Sequence, residues 1–124
     1  MEVYFDNNYP KNLPDALSLL HELNQSQIFK IIRTQNIENI DKRQSVIFLF
    51  DNSKKGLSIV TDKHFEEGYK VFAFKLNSAD VINLFQLTLM TLKLWPKILN
   101  TINEETNPFV YTFNYNGKYL TKVR

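Results

Sequence analysis

The run Ser45-Val46-Ile47-Phe48-Leu49-Phe50-Asp51 is the feature that most narrows the possible folds. Its apolar residues follow one another without polar alternation, so a strand here must be covered on both faces, as strands of parallel sheets are. The run is strand-length rather than helix-length, and its β-branched and aromatic content agrees with that reading. It stops at Asp51, followed by Asn52 and Ser53, which are turn formers.

Other segments of the same kind surround it. Val3-Tyr4-Phe5 is a short β-prone run that stops at Asp6-Asn7-Asn8, Ile28 to Thr34 reads as a second strand, and Tyr69 to Lys75 as a fourth. Between them lie helical patterns. Asn12 is placed to cap a helix with Pro14 and Asp15 in its first turn, and Leu13, Ala16, Leu17, Leu19, Leu20 and Leu23 repeat at helical spacing. Leu57 to Glu67 reads as a helix with Gly68 as its left-handed cap. A long helix is expected over about 79–102, capped by Asn77 or Ser78 and kinked or split by Pro96. The chain closes with a hairpin signature over 109–123, in which Asn116-Gly117 supplies a two-residue type I′ turn.

The order β-α-β-β-α-β-α-β-β predicts one α/β domain spanning 1–124. It is built on a mostly parallel central sheet flanked by helices, with the long helix and hairpin as a C-terminal elaboration. A chain of 124 residues forms one core and is too short for two ordinary domains. Ten Phe and six Tyr make that core substantial, because each such ring buries a large area.

Composition narrows the chemistry. There is no cysteine, which removes disulfides, thiolate catalysis and Cys-based zinc sites, and suits a reducing compartment. The opening MEVYFDNN has no apolar run behind a basic segment, and the apolar stretch 81–102 is interrupted by Asn83, Gln86, Lys93, Pro96 and Lys97. A soluble, cytoplasmic protein without membrane contact is therefore expected. A net charge of +2 implies no strong nucleic-acid field, although two of the basic clusters, Lys42-Arg43, Lys54-Lys55, Lys93 with Lys97 and Lys118 to Arg124, could form a groove.

Ligands in open α/β sheets bind beyond the carboxyl ends of the strands, where strand order reverses. Two strands here end in Asp6 and Asp51. If those strands are neighbours, the two carboxylates suit Mg²⁺ or Mn²⁺, which could activate water for phosphodiester cleavage. The competing reading is that both acids simply form turns. His21 and His64 have no third ligand at metal-binding spacing. Tyr9 could stack on a base, and Trp95 between Lys93 and Lys97 has the pattern of a nucleic-acid contact, but packing is the preferred reading of Tyr9, and a Trp on a long apolar helix is more often core or a subunit interface. The long helix is apolar on more than one face, which predicts burial against the hairpin or a second subunit, and so a possible homodimer.

Several of these segments resemble PIN-like domains of the VapC-like nuclease branch. FDNNYP is similar to the acid-plus-Asn first motif of that family, and VIFLFD to its later strand ending in an acid. GYKVFAFKL, LWPKI and FVYTFNYNGKY are similar to its closing part. The resemblance implies a metal-dependent endoribonuclease of the toxin–antitoxin type, with Mg or Mn as cofactor, RNA as substrate and an antitoxin protein as partner. On that basis Asp6 and Asp51 would be catalytic metal ligands. Asn8, Lys54 and Lys55 would contact substrate, and Glu38 and Asp41 would substitute for the family's intermediate acid. The usual acid-plus-Trp helix is replaced by QNIENIDKRQ, so the acid set is incomplete. The alternative is a catalytically inactive PIN-like domain that binds RNA or protein. Ser58-Ile59-Val60-Thr61-Asp62 offers a second strand-ending acid by resemblance. Val46–Phe50 is the better strand, however, and Asp62 is expected on a helix surface.

Overall fold

The run from Ser45 does form the centre of a sheet. The computed structural model describes residues 2–6, 9, 13–24, 30–33, 41–76, 83–115 and 118–124, and for 20–24 and 30–33 the backbone alone. In chain order the elements are β1 (Glu2–Phe5), α1 (Leu13–Asn24), β2 (Lys30–Arg33) and, after a 3-10 turn (Lys42–Gln44), β3 (Ser45–Asp51). They continue as α2 (Ile59–Glu66), β4 (Lys70–Lys75), α3 (Leu84–Glu104), β5 (Val110–Phe113) and β6 (Thr121–Lys122). The spatial order is β2-β1-β3-β4-β5-β6. The first five strands are parallel, and β6 pairs antiparallel with β5 at the edge.

Both faces of β3 are covered, as its unbroken apolar run requires. Val46 and Phe48 join Leu13 and Leu17 of α1 and the buried stripe of α3 on one face. Ile47 and Leu49 join Val71, Ala73 and Val110 on the other, against Leu57 and Phe65. The first face carries a row of rings in register across four strands. Phe5 stacks on Phe48 with centroids 4.6 Å apart, Phe48 on Phe72 at 5.0 Å, and Phe72 on Tyr111 at 5.9 Å. Trp95 and Tyr9 close over this row, so both are core side chains.

Chain direction and helix placement together show an unusual crossover. The steps β3→β4 and β4→β5 go the same way across the sheet, yet α2 packs on one face and α3 on the other. The β4–α3–β5 crossover therefore has the opposite hand to β3–α2–β4, whereas nearly all such connections share one hand. The consequence is that α1 and α3 share the aromatic face.

Local signals account for most element ends. Ser58 caps α2, its hydroxyl accepting from the Thr61 N–H at 3.2 Å, and Gly68 after its last turn takes φ +97°, a conformation open to glycine. The expected start of the long helix needs correction. Asn83 is the cap, its side chain accepting from the Gln86 N–H at 3.1 Å, and Asn77, Ser78 and the following residues to 82 lie outside the described residues. Pro96 does not end α3. It is exposed, while Trp95 and Ile98 anchor the helix on the core, so the lost hydrogen bond is tolerated. The terminal segment also differs from an appended hairpin, because β5 is a full member of the parallel sheet. Its pairing with β6 is symmetric about positions 116 and 117, which lie outside the described residues, as do Asn12 and the segment 34–40. Among the described residues, no helix is long and apolar enough to cross a membrane.

Phe48 lies at the middle of the ring row and is fully buried, whereas Phe85 on α3 is 76% exposed. Phe48→Ala is expected to lower the unfolding free energy by about 3–5 kcal/mol in urea titrations. Phe85→Ala should stay within about 0.5 kcal/mol of the native protein.

Candidate functional site

Strand order reverses at β1, so the crevice at the carboxyl ends of β1 and β3 is where a ligand is expected. The adjacency required by the two strand-ending acids is present, since β1 and β3 are parallel neighbours. They are not level, however. Phe5 pairs with Phe48, so Asp6 stands beside Leu49 and Asp51 lies two residues further along β3. The Asp6 N–H continues the ladder to the Phe48 carbonyl at 3.0 Å, and its own carbonyl accepts from the Tyr9 N–H at 3.0 Å. Asp6 thus makes the turn that carries Tyr9 into the core.

Asp51 is buried, and its carboxylate is fully engaged by its own chain. Oδ1 accepts from the Ser53 N–H at 3.0 Å and from the Lys75 ammonium at 3.0 Å. Oδ2 accepts from the Ser58 N–H at 2.8 Å and the Thr61 hydroxyl at 2.9 Å. A carboxylate has about four lone-pair positions, and four donors fill them. Because the Thr61 proton is committed to Asp51, the 2.9 Å contact between the Ser58 and Thr61 hydroxyls must have Ser58 as donor. Burial by itself pushes the Asp51 carboxyl up. The Ser58 and Ser53 N–H groups, the Lys75 ammonium and the Thr61 hydroxyl outweigh it and hold the group below the usual carboxylate range.

Lys75 is the register partner of Asp51 at the end of β4. Its ammonium also donates to the Ser53 carbonyl at 2.9 Å and to the Gly56 carbonyl. The loop 52–58 is therefore wrapped round one ion pair that joins two strand ends to the first turn of α2. A divalent ion of the kind the PIN-like resemblance implies does not fit Asp51, because every acceptor position on that carboxylate already holds a proton donor. Among the described residues no three His, Asp or Glu side chains are grouped to hold a metal.

The other expected site residues are dispersed. Asp41 caps the 3-10 turn, its carboxylate accepting from the Arg43 N–H at 3.0 Å. It precedes β3, so it lies at the amino end of that strand, whose length from Ser45 to Asp51 is about 20 Å at ~3.3 Å per residue. Asp41 is thereby corrected from candidate catalytic acid to cap. Lys54 and Lys55 are exposed in the loop after β3, at the carboxyl end. Asn8 and Glu38 lie outside the described residues. Asp62 lies on α2 as expected and pairs with Arg124 at 3.1 Å. His64 is driven towards its neutral form by burial.

Beside the ion pair, beyond the ends of β4 and β5, is a polar pocket of about 130 Å³. It is lined by Lys75, Thr112, Asn114, Lys118, Tyr119 and Thr121, together with Phe113. Tyr119 is 71% exposed, and the Lys97 ammonium reaches the Lys118 carbonyl at 3.1 Å. The pocket is therefore lined by hydroxyl and amide groups, the Lys118 ammonium and an exposed tyrosine. Sequence reading missed Lys75, Ser58, Thr61 and Tyr119. The one available signal was that the buried runs VIFLFD and KVFAFK end in opposite charges, which in-register parallel pairing would bring together.

Loss of the buried anion strands the Lys75 charge, so Asp51→Asn is expected to cost about 3–5 kcal/mol near neutral pH, read by urea unfolding. The pH dependence has a definite sign. With a folded pKa below the unfolded value of 3.8, Asp51 contributes its full stabilisation above that value and loses it as pH falls through the folded pKa. Acid titrations of stability should show this component in the native protein and lack it in the Asn variant.

Compared with known proteins, the chain matches no family model, no curated protein and no solved structure.

Proposed function

We propose that this chain is a PIN-like domain that binds single-stranded RNA without cutting it. The observation that carries the reading is the pocket at the ends of β4 and β5, which exposed Tyr119 and Lys118 line together with hydroxyl and amide side chains. An aromatic ring beside an ammonium group, here Tyr119 beside Lys118, is the chemistry that single-stranded nucleic acid uses, with a base on the ring and a phosphate on the cation. Thr112, Thr121 and Asn114 supply neutral polar groups that suit a sugar or phosphate oxygen.

The cleaving alternative needs a carboxylate with lone pairs to spare at the strand ends. Asp51 has none, so the second acid of the expected pair works as a structural anion. Lys54 and Lys55 remain available at the same end of the sheet to extend the phosphate track.

Fluorescence anisotropy with a labelled single-stranded RNA of mixed sequence tests the reading. Tyr119→Ala should weaken binding by about tenfold, within the ~1–3 kcal/mol range of one stacked base. Lys118→Ala should reduce the slope of log affinity against log salt by roughly one. Absence of RNA binding would leave a protein-binding module as the surviving version. Manganese-dependent cleavage that disappears in Asp51→Asn would return the chain to the nuclease reading.

A further inference from the structure

The ammonium of Lys75 sits in a cage of three oxygens drawn from one short loop. Asp51 Oδ1 lies at 3.0 Å, the Ser53 carbonyl at 2.9 Å, and the Gly56 carbonyl completes the set. One carboxylate and two carbonyls converging from positions i, i+2 and i+5 are ligands of the kind that hard cations take. An ammonium has only three protons to donate, and all three are used here. The loop path that creates the cage depends on Gly56, whose φ of +61° turns its carbonyl inward at a conformation most side chains avoid. The side chain of Lys75 is largely covered, and its carboxylate partner is fully buried.

We infer that this is a cation site whose cation is covalently supplied: Lys75 takes the place of a bound metal ion. The native protein therefore binds no divalent ion at Asp51, and removal of the ammonium opens an oxygen site for Ca²⁺. Calcium is the matching ion because it accepts flexible mixtures of carboxylate, carbonyl and water oxygens, whereas Mg²⁺ demands near-ideal octahedral geometry. Shortening residue 75 to alanine leaves space for the ion and for waters that complete its shell. The inference is independent of RNA binding, because its readout is stability against cation concentration with no nucleic acid present.

The test compares thermal unfolding of the native chain, Lys75→Ala, and Lys75→Ala/Asp51→Asn in CaCl₂ and in KCl of equal ionic strength. The native midpoint should be the same in the two salts. Lys75→Ala should unfold at lower temperature and regain roughly 5 °C or more in millimolar CaCl₂ but not in KCl, the shift expected when a ligand binds only the folded state. The double variant should regain nothing. Folding of Lys75→Ala only when Ca²⁺ is present would support the inference equally. Failure of Ca²⁺ to raise the midpoint of a folded Lys75→Ala would overturn it. If Lys75→Ala stays unfolded in both salts, calorimetry with MnCl₂ on the native chain and Asp51→Asn decides. Manganese binding by the native chain that Asp51→Asn lacks overturns the inference, and equal titrations of the two support it.

Discussion

A buried carboxylate is costly unless every lone pair finds a donor, and the carboxyl end of this sheet is organised by that requirement. Asp51 terminates β3 with no exposure to solvent. Its needs place the Ser53 and Ser58 amides, the Thr61 hydroxyl and the Lys75 ammonium. Those four donors come from the loop, the cap and first turn of α2, and the end of β4. The loop path, the entry into α2 and the strand register are thus set by one group. The Asp51 carbonyl adds a further tie, accepting from the Leu76 N–H at 3.0 Å.

The ion pair also shows how a strand-ending acid can be taken up entirely by its own chain. A carboxylate that serves a metal must leave lone pairs open, and it gains from neighbouring acids that share the ion. Asp51 faces a cation of its own chain instead, and its neighbours are amides and hydroxyls. Asp6, two residues short of level, is used to turn the chain towards Tyr9. The two acids thus have different structural tasks despite ending adjacent strands. Along the same edge lies the open pocket lined by Tyr119 and Lys118.

Below this edge, the row of rings supplies stability of another kind. Phe5, Phe48, Phe72 and Tyr111 stand at one level on four neighbouring strands, so each ring is packed by the next. Stacked contacts of this sort add about 0.5–1.5 kcal/mol each beyond area burial. The row asks for a broad apolar cover, which α1 and α3 provide from the same face. That demand accounts for the position of α3 despite the uncommon hand of its crossover.

The sequence by itself determined the elements and the class. Unbroken apolar runs are legible because a strand covered on both faces has no other composition available to it. Gly68 and Pro14 mark helix ends for equally local reasons. It also put Asp6 and Asp51 at the ends of two strands, while their adjacency came from the sheet. The tertiary structure alone decided what those acids do, because a carboxylate's role depends on which donors reach it. Lys75 lies 24 positions from Asp51 and meets it only through strand pairing. Asp41 looked equivalent in composition, yet the direction of β3 sends it to the opposite end of the sheet. Helix sidedness was likewise invisible, since an amphipathic stripe records that a face is buried and not which side of the sheet it covers.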